Sequence, residues 1–168
     1  MRVYLPSTLP GLRRLLDDGA LTDVPLPGYA VTPALREWYA EGDEEELEYA
    51  ALGLAARASV RLLDRALVAE PDTPARRVVV VAVVDDGVEP APDVDRAAVR
   101  VLEPVPVRKV QAVHVDDPSA QDDVRAAAEA VVAADLGSDD AAFVVDQAEG
   151  HELQWYATQE IGALLELG

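Results

Sequence analysis

The side chains that most often act as nucleophiles, bases or soft metal ligands are scarce in this chain. There are two His, four Ser, one Lys and no Cys in 168 residues. His151-Glu152-Leu153-Gln154-Trp155 opens like the zincin helix signature. That motif needs a second His at its fifth position, so that two imidazoles on adjacent turns face one metal. Trp155 stands there instead, which leaves His151 as a surface or capping residue. His114 and Asp116 lie two apart near the end of an apolar run. On a strand they point to the same side and form a candidate His–carboxylate pair. Asp117, followed by Pro118, has a sufficient role as a helix cap. The acidic run at Glu41, Asp43, Glu44, Glu45, Glu46 and Glu48 lacks the alternating oxygens and central Gly of a calcium loop, and suits a solvated helix start. No Gly-rich phosphate loop, nucleophile elbow or dinucleotide fingerprint occurs. No metal and no cofactor is expected.

The aromatic residues carry more signal. Each of the two Trp is followed by Tyr, as Trp38-Tyr39 and Trp155-Tyr156, with Glu37 and Gln154 preceding them. An aromatic wall with carboxylates suits a cationic or sugar-like ligand, and Glu37, Glu48 and Glu152 are its candidate polar contacts. The competing reading makes these rings core or interface residues. Arg57, Arg61 and Arg65, four residues apart, place a basic stripe on one helix face. The stripe either docks an acidic partner or a second copy of the chain, or pairs with the chain's own carboxylates.

Composition bounds the partners. Fourteen Lys and Arg against 32 Asp and Glu give a net charge of −18, which repels nucleic acid and anionic lipid. The remaining partners are a protein or a small molecule, with the chain as monomer or homodimer. Half the residues are apolar and 27% are charged, a globular composition for which one domain over 1–168 is expected. The longest apolar run, Val78 to Val84, is far shorter than the ~20 residues of a spanning helix, and the opening residues have no signal-peptide core. A soluble cytoplasmic protein is therefore expected. Thirteen of the fourteen basic residues are Arg and Asn is absent, the imprint of a GC-rich genome.

Period and punctuation place the elements. Arg2–Leu5 reads as a strand, followed by a helix capped at Ser7 or Thr8 and ended by Gly19. Residues 21–28 read as loop, Tyr29–Thr32 as strand and Pro33–Tyr39 as a short helix. Asp43 with Glu46 opens the clearest helix, apolar at Leu47, Ala51, Leu54, Ala55, Ala58 and Leu62. Arg77–Val84 is an almost unbroken Val run, the pattern of a central strand. Residues 88–95 read as a surface loop, and Ala97–Glu103 and Val107–Val115 as strands. A helix follows Asp117-Pro118. Ala141–Val145 reads as a strand, and Asp146 with Glu149 as the cap of a last helix carrying Leu153, Tyr156, Ala157, Ile161 and Leu164. A strand–helix–strand–helix order thus occurs twice, which suggests an internal duplication that would bring Trp38 and Trp155 to one groove. The expected fold is α+β: a mixed sheet of about six strands with helices mainly on one face, arranged as in ferredoxin-like folds.

The blocks Met1-Arg2-Val3-Tyr4-Leu5-Pro6-Ser7-Thr8-Leu9-Pro10, Ala30-Val31-Thr32-Pro33-Ala34-Leu35-Arg36-Glu37-Trp38-Tyr39, Glu44-Glu45-Glu46-Leu47-Glu48-Tyr49-Ala50-Ala51 and His151-Glu152-Leu153-Gln154-Trp155-Tyr156-Ala157-Thr158-Gln159-Glu160 resemble a family of small acidic actinobacterial proteins, a domain of unknown function. The resemblance spans essentially the whole chain. It implies a bacterial cytoplasmic protein and no particular activity or site. From the residues, two functions stay open: a non-catalytic binding or interaction domain, or a small enzyme using carboxylates and His114 beside an aromatic pocket. With two separated His and no Cys, micromolar zinc is expected to leave the melting temperature unchanged. A rise of several degrees in a thermal-shift titration would contradict this.

Overall fold

The computed structural model describes residues 1–167. The chain opens with β1 (Arg2–Ser7) and α1 (Leu9–Asp18). The Thr8 hydroxyl accepts the Gly11 N–H at 3.1 Å, and Gly19 ends the helix at φ 73°, a left-handed conformation open to glycine. Two strands, β2 (Ala20–Leu21) and β3 (Leu26–Ala30), occupy the two ends of the stretch expected as loop. Next come α2 (Pro33–Trp38), capped by Thr32, and α3 (Glu44–Ala69), whose cap Asp43 accepts the Glu46 N–H at 2.8 Å. The strands β4 (Val78–Val83), β5 (Val88–Pro90), β6 (Ala98–Val101), β7 (Val105–Pro106) and β8 (Val110–Asp116) follow. The chain closes with α4 (Gln121–Asp135), α5 (Asp139–Glu149), β9 (Leu153–Ala157) and α6 (Ile161–Leu167).

The fold is α+β. Its main sheet has seven strands in the order β5-β6-β3-β1-β4-β8-β9, while β2 and β7 form a separate ribbon. Every pairing is antiparallel, which corrects the expected mixed sheet. Of the expected surface loop over 88–95, the first three residues in fact pair with β6 as β5, and the rest is loop. Because β3 and β4 both run antiparallel to β1, they are parallel to each other. The α2–α3 crossover joins them around β1 as one split β-α-β unit. A ferredoxin-like fold interlocks two such units. The second is missing here, because α4 and α5 return the chain to β9, directly beside β8 and antiparallel to it.

The proposed duplication fails on the same segment. Ser138 accepts the Ala141 N–H at 3.2 Å and starts α5 with Asp139 and Asp140 in its first turn. Val145 and Ala148, three apart, bury against α3 and α4, while Phe143 faces water. Residues 141–145 are thus helix rather than strand, and Asp146 and Glu149 lie inside α5 rather than opening a new helix. Leu153–Ala157, expected as helix, is extended and pairs with β8; a 3-10 turn over Thr158–Glu160 leads into the α-helix Ile161–Leu167.

Helices cover both faces of the sheet, most of them on one. On one side α1 and α6 pack Leu12, Leu15, Ile161 and Leu164 against Val3, Leu5, Val78 and Val80. On the other, α3 sets Leu47, Ala51 and Ala55 on Tyr4, Tyr29, Val79 and Val81. Fully buried alanines let this helix lie close to the strands. Further along, Val60 and Leu63 turn to α4 and α5. Ser59 knits the layers: its hydroxyl donates to the Ser7 carbonyl at 2.7 Å and accepts the Val78 N–H at 3.0 Å.

At the end of β8 the buried Asp116 carboxylate faces Arg77. One oxygen accepts the Arg77 backbone N–H at 2.7 Å and Nε–H at 2.9 Å; the other accepts the guanidinium at 2.7 Å. The same guanidinium donates to the His151 carbonyl, just before β9, at 2.7 Å. Asp116→Asn should lower stability by about 3–5 kcal/mol, since it leaves a buried cation without its counter-charge. Urea denaturation would measure this, and the double variant Arg77→Met, Asp116→Leu is expected to recover much of the loss.

Candidate functional site

The first three turns of α3 stand above the sheet, and two adjoining concavities open along them, with Tyr49 and Leu52 in the wall of both. The larger, about 590 Å³, lies between α2, α3 and the segment joining α5 to β9, and its walls include Trp38, Tyr39, Arg57, Arg96, Glu149 and Glu152. The smaller, about 450 Å³, has Tyr4, Val81, Ala112 and His114 of the sheet beneath it, Glu45 and Glu48 on α3, and Trp155 on β9. Trp38 is 61% exposed, Tyr49 66% and Trp155 60%, values far above those of core aromatics such as Tyr4.

Local structure explains each placement. Trp38 ends α2, and the Thr32 cap of that helix donates its hydroxyl to the Arg96 carbonyl. This tie brings Arg96 to Trp38, and its guanidinium carbon stacks 3.7 Å from the ring centroid. In β9 the side chains alternate: Leu153 and Trp155 face the α3 side, while Gln154 and Tyr156 face the other. Trp155 sits opposite His114 in the β8–β9 register. Burial lowers the His114 pKa and favours the neutral imidazole. Burial, reinforced by the Glu48 charge, raises that of Tyr4.

Several sequence-derived expectations change. His114 and Asp116 share a face of β8, but Asp116 is bound to Arg77 and forms no His–carboxylate pair. It is a structural residue. Trp155 is exposed as expected, on a strand rather than at the edge of a helix face. Trp38 and Trp155 line neighbouring concavities rather than one groove. Tyr156 packs on the far side of the sheet, its hydroxyl donating to Gln154 at 3.1 Å. Glu37 is exposed on α2 and, like Tyr156, lines neither concavity. Two of the stripe's arginines pair at the surface with the chain's own carboxylates: Arg61 forms a two-pronged bond to Asp135 at 2.8 and 3.1 Å, and Arg57 reaches Glu149 at 3.0 Å. The Arg61 bond holds the Asp135 carboxyl below its usual range. Arg65 lies apart, on a third concavity beside α1.

Tyr49 and Arg96 went unnoticed in the sequence. Tyr49 had a signal, a large ring placed off the apolar stripe of α3. Arg96 had none, since a contact across nearly sixty residues brings it to Trp38. His151 bonds Asp123 through Nε2 at 2.8 Å, and among the described residues no cluster of three metal-ligating side chains occurs.

These features define an α+β protein with an exposed aromatic cleft between a crossover helix and the edge of an antiparallel sheet. The chain belongs to a family of unknown function, DUF6912, whose family model matches residues 1–165. No curated protein and no solved structure matches the chain. No helix among the described residues is long and apolar enough to cross a membrane.

His114 sets a pH dependence. Its folded-state pKa lies below 6.5, so on acidification the unfolded chain takes up a proton that the folded chain resists. The cost is absent above the unfolded pKa and grows as pH falls below it. His114→Gln should therefore lose less stability than the wild type between about pH 7 and pH 5, as read from urea midpoints at each pH.

Proposed function

We propose that the chain is a non-catalytic cytoplasmic binding domain that holds a small organic ligand in the cleft beside α3. The observation that carries this reading is the solvent exposure of Trp38, Tyr39, Tyr49 and Trp155 around two adjoining concavities. Rings left in water at such cost, on a concave surface of ligand size, are the usual lining of a recognition site. Polar groups elsewhere are occupied in holding the fold: Ser59 bridges α3 to β1 and β4, Ser138 caps α5, and Asp116 holds Arg77. The surface charge favours neither nucleic acid nor anionic membranes as partner.

A second reading, a small enzyme with His114 as base, draws on the neutral imidazole at the floor of the smaller concavity. Substituting His114 would then abolish turnover while leaving ligand affinity nearly intact.

The two Trp serve as reporters for the binding reading. A ligand from a metabolite screen at a hundredfold excess over Kd should raise the melting temperature by roughly 5–10 °C and change indole emission. Trp38→Ala and Trp155→Ala should each shift the ligand-free melting temperature little, because both rings are exposed. At least one of them should abolish the response. Ligands that bind both variants and Tyr49→Ala as tightly as the wild type would place recognition elsewhere.

A further inference from the structure

The smaller concavity has a chemical character of its own. Three aromatic rings reach it from three elements: Tyr4 from β1, Tyr49 from α3 and Trp155 from β9. Its floor is apolar at Val81 and Ala112. Two carboxylates, Glu45 and Glu48, stand three residues apart on α3 above it. Arg2 also lines it, with its guanidinium bonded to Glu48 at 2.9 Å and to Gln111 at 3.1 Å. Among the described residues Glu45 takes part in no ion pair within 4.0 Å.

The neighbouring concavity shows what an exposed indole does in this protein. Trp38 is covered by the Arg96 guanidinium at 3.7 Å. Trp155 is as exposed as Trp38, and among the described residues no cation of the chain covers it. We infer that the Trp155 concavity binds a small organic cation, such as an alkylated ammonium group. The inference rests on the binding reading above and specifies the ligand class for one part of that cleft.

The chemistry of the walls selects this class. A cation over a ring face gains from the quadrupole, and more so where water is displaced by an apolar floor. The paired Glu45 and Glu48 add a net negative charge after Arg2 is counted, and the −18 of the whole chain concentrates cations at its surface. A metal ion is disfavoured, because among the described residues no three His, Asp or Glu side chains converge and Glu48 already holds Arg2. An anion meets two carboxylates against one guanidinium, which Glu48 already neutralises.

The test uses Trp38→Phe, in which Trp155 is the sole indole. Choline is titrated at constant ionic strength, and its neutral isostere 3,3-dimethylbutan-1-ol in parallel. Choline should change Trp155 emission saturably in the millimolar range, and the neutral isostere should bind roughly tenfold more weakly. Tyr49→Ala should remove the response, and the double variant Glu45→Gln, Glu48→Gln should weaken choline several-fold. Both sites are accessible on the surface of α3, and circular dichroism checks that each variant is folded. Equal binding of choline and its isostere would overturn the cation assignment and leave an aromatic binding site standing. The absence of any choline response would also overturn it. The binding reading itself falls only if no screened ligand depends on Trp38, Tyr49 or Trp155.

Discussion

A carboxylate with no exposed surface decides how the last third of the chain is laid down. Asp116 at the end of β8 and Arg77 just before β4 are both buried, and burying either alone costs several kcal/mol. Together they share three hydrogen bonds, and a further guanidinium N–H goes to the His151 carbonyl. That bond fixes where the chain leaves α5 and enters β9. Since side chains in a strand alternate in facing, fixing the entry point also fixes which of Trp155 and Tyr156 faces the cleft. A shift of one residue would turn Tyr156 into the concavity and Trp155 away from it.

α3 does two jobs along its 26 residues. Its second half is gripped by α4 and α5 through Val60, Leu63 and the Arg57 and Arg61 ion pairs. Its first half lies on β1, β3 and β4 through small alanines and stops short of closing over β8 and β9. The cleft is the gap that results. Its rigidity comes from the gripped half, so Tyr49 stands on a helix that is held along most of its length.

Much of this was legible in the sequence where the signals were local. Thr8 and Asp43 cap the helices they were expected to open, Gly19 ends α1, and the valines of β4 lie in the sheet interior. The segment from Ala141 to Ala157 was misread because two local signals misled. Phe143-Val144-Val145 has strand-forming residues but follows a Ser138 cap. Leu153, Tyr156 and Ala157 are spaced like a helix face, yet their backbone is claimed by the free edge of β8. The composition of the cleft was half legible: the Trp-Tyr pairs pointed to it, and Glu48, Glu152 and His114 do line it. What could not be read was which rings meet, because Arg96, Tyr49 and Tyr4 arrive through long-range pairing.

The pairing of β1 with β4 has a consequence for how the chain is made. Arg2 lies opposite Val83, so the strand at the middle of the sheet waits for a partner some eighty residues away. At ordinary translation speeds of about 5–20 residues per second that interval lasts roughly 4–16 s. During it Val3 and Leu5 have only α1 and β3 for shelter, and one backbone edge of β1 has none. The nascent chain therefore passes through a stage with an open, apolar strand at its heart, the kind of species that holding chaperones intercept.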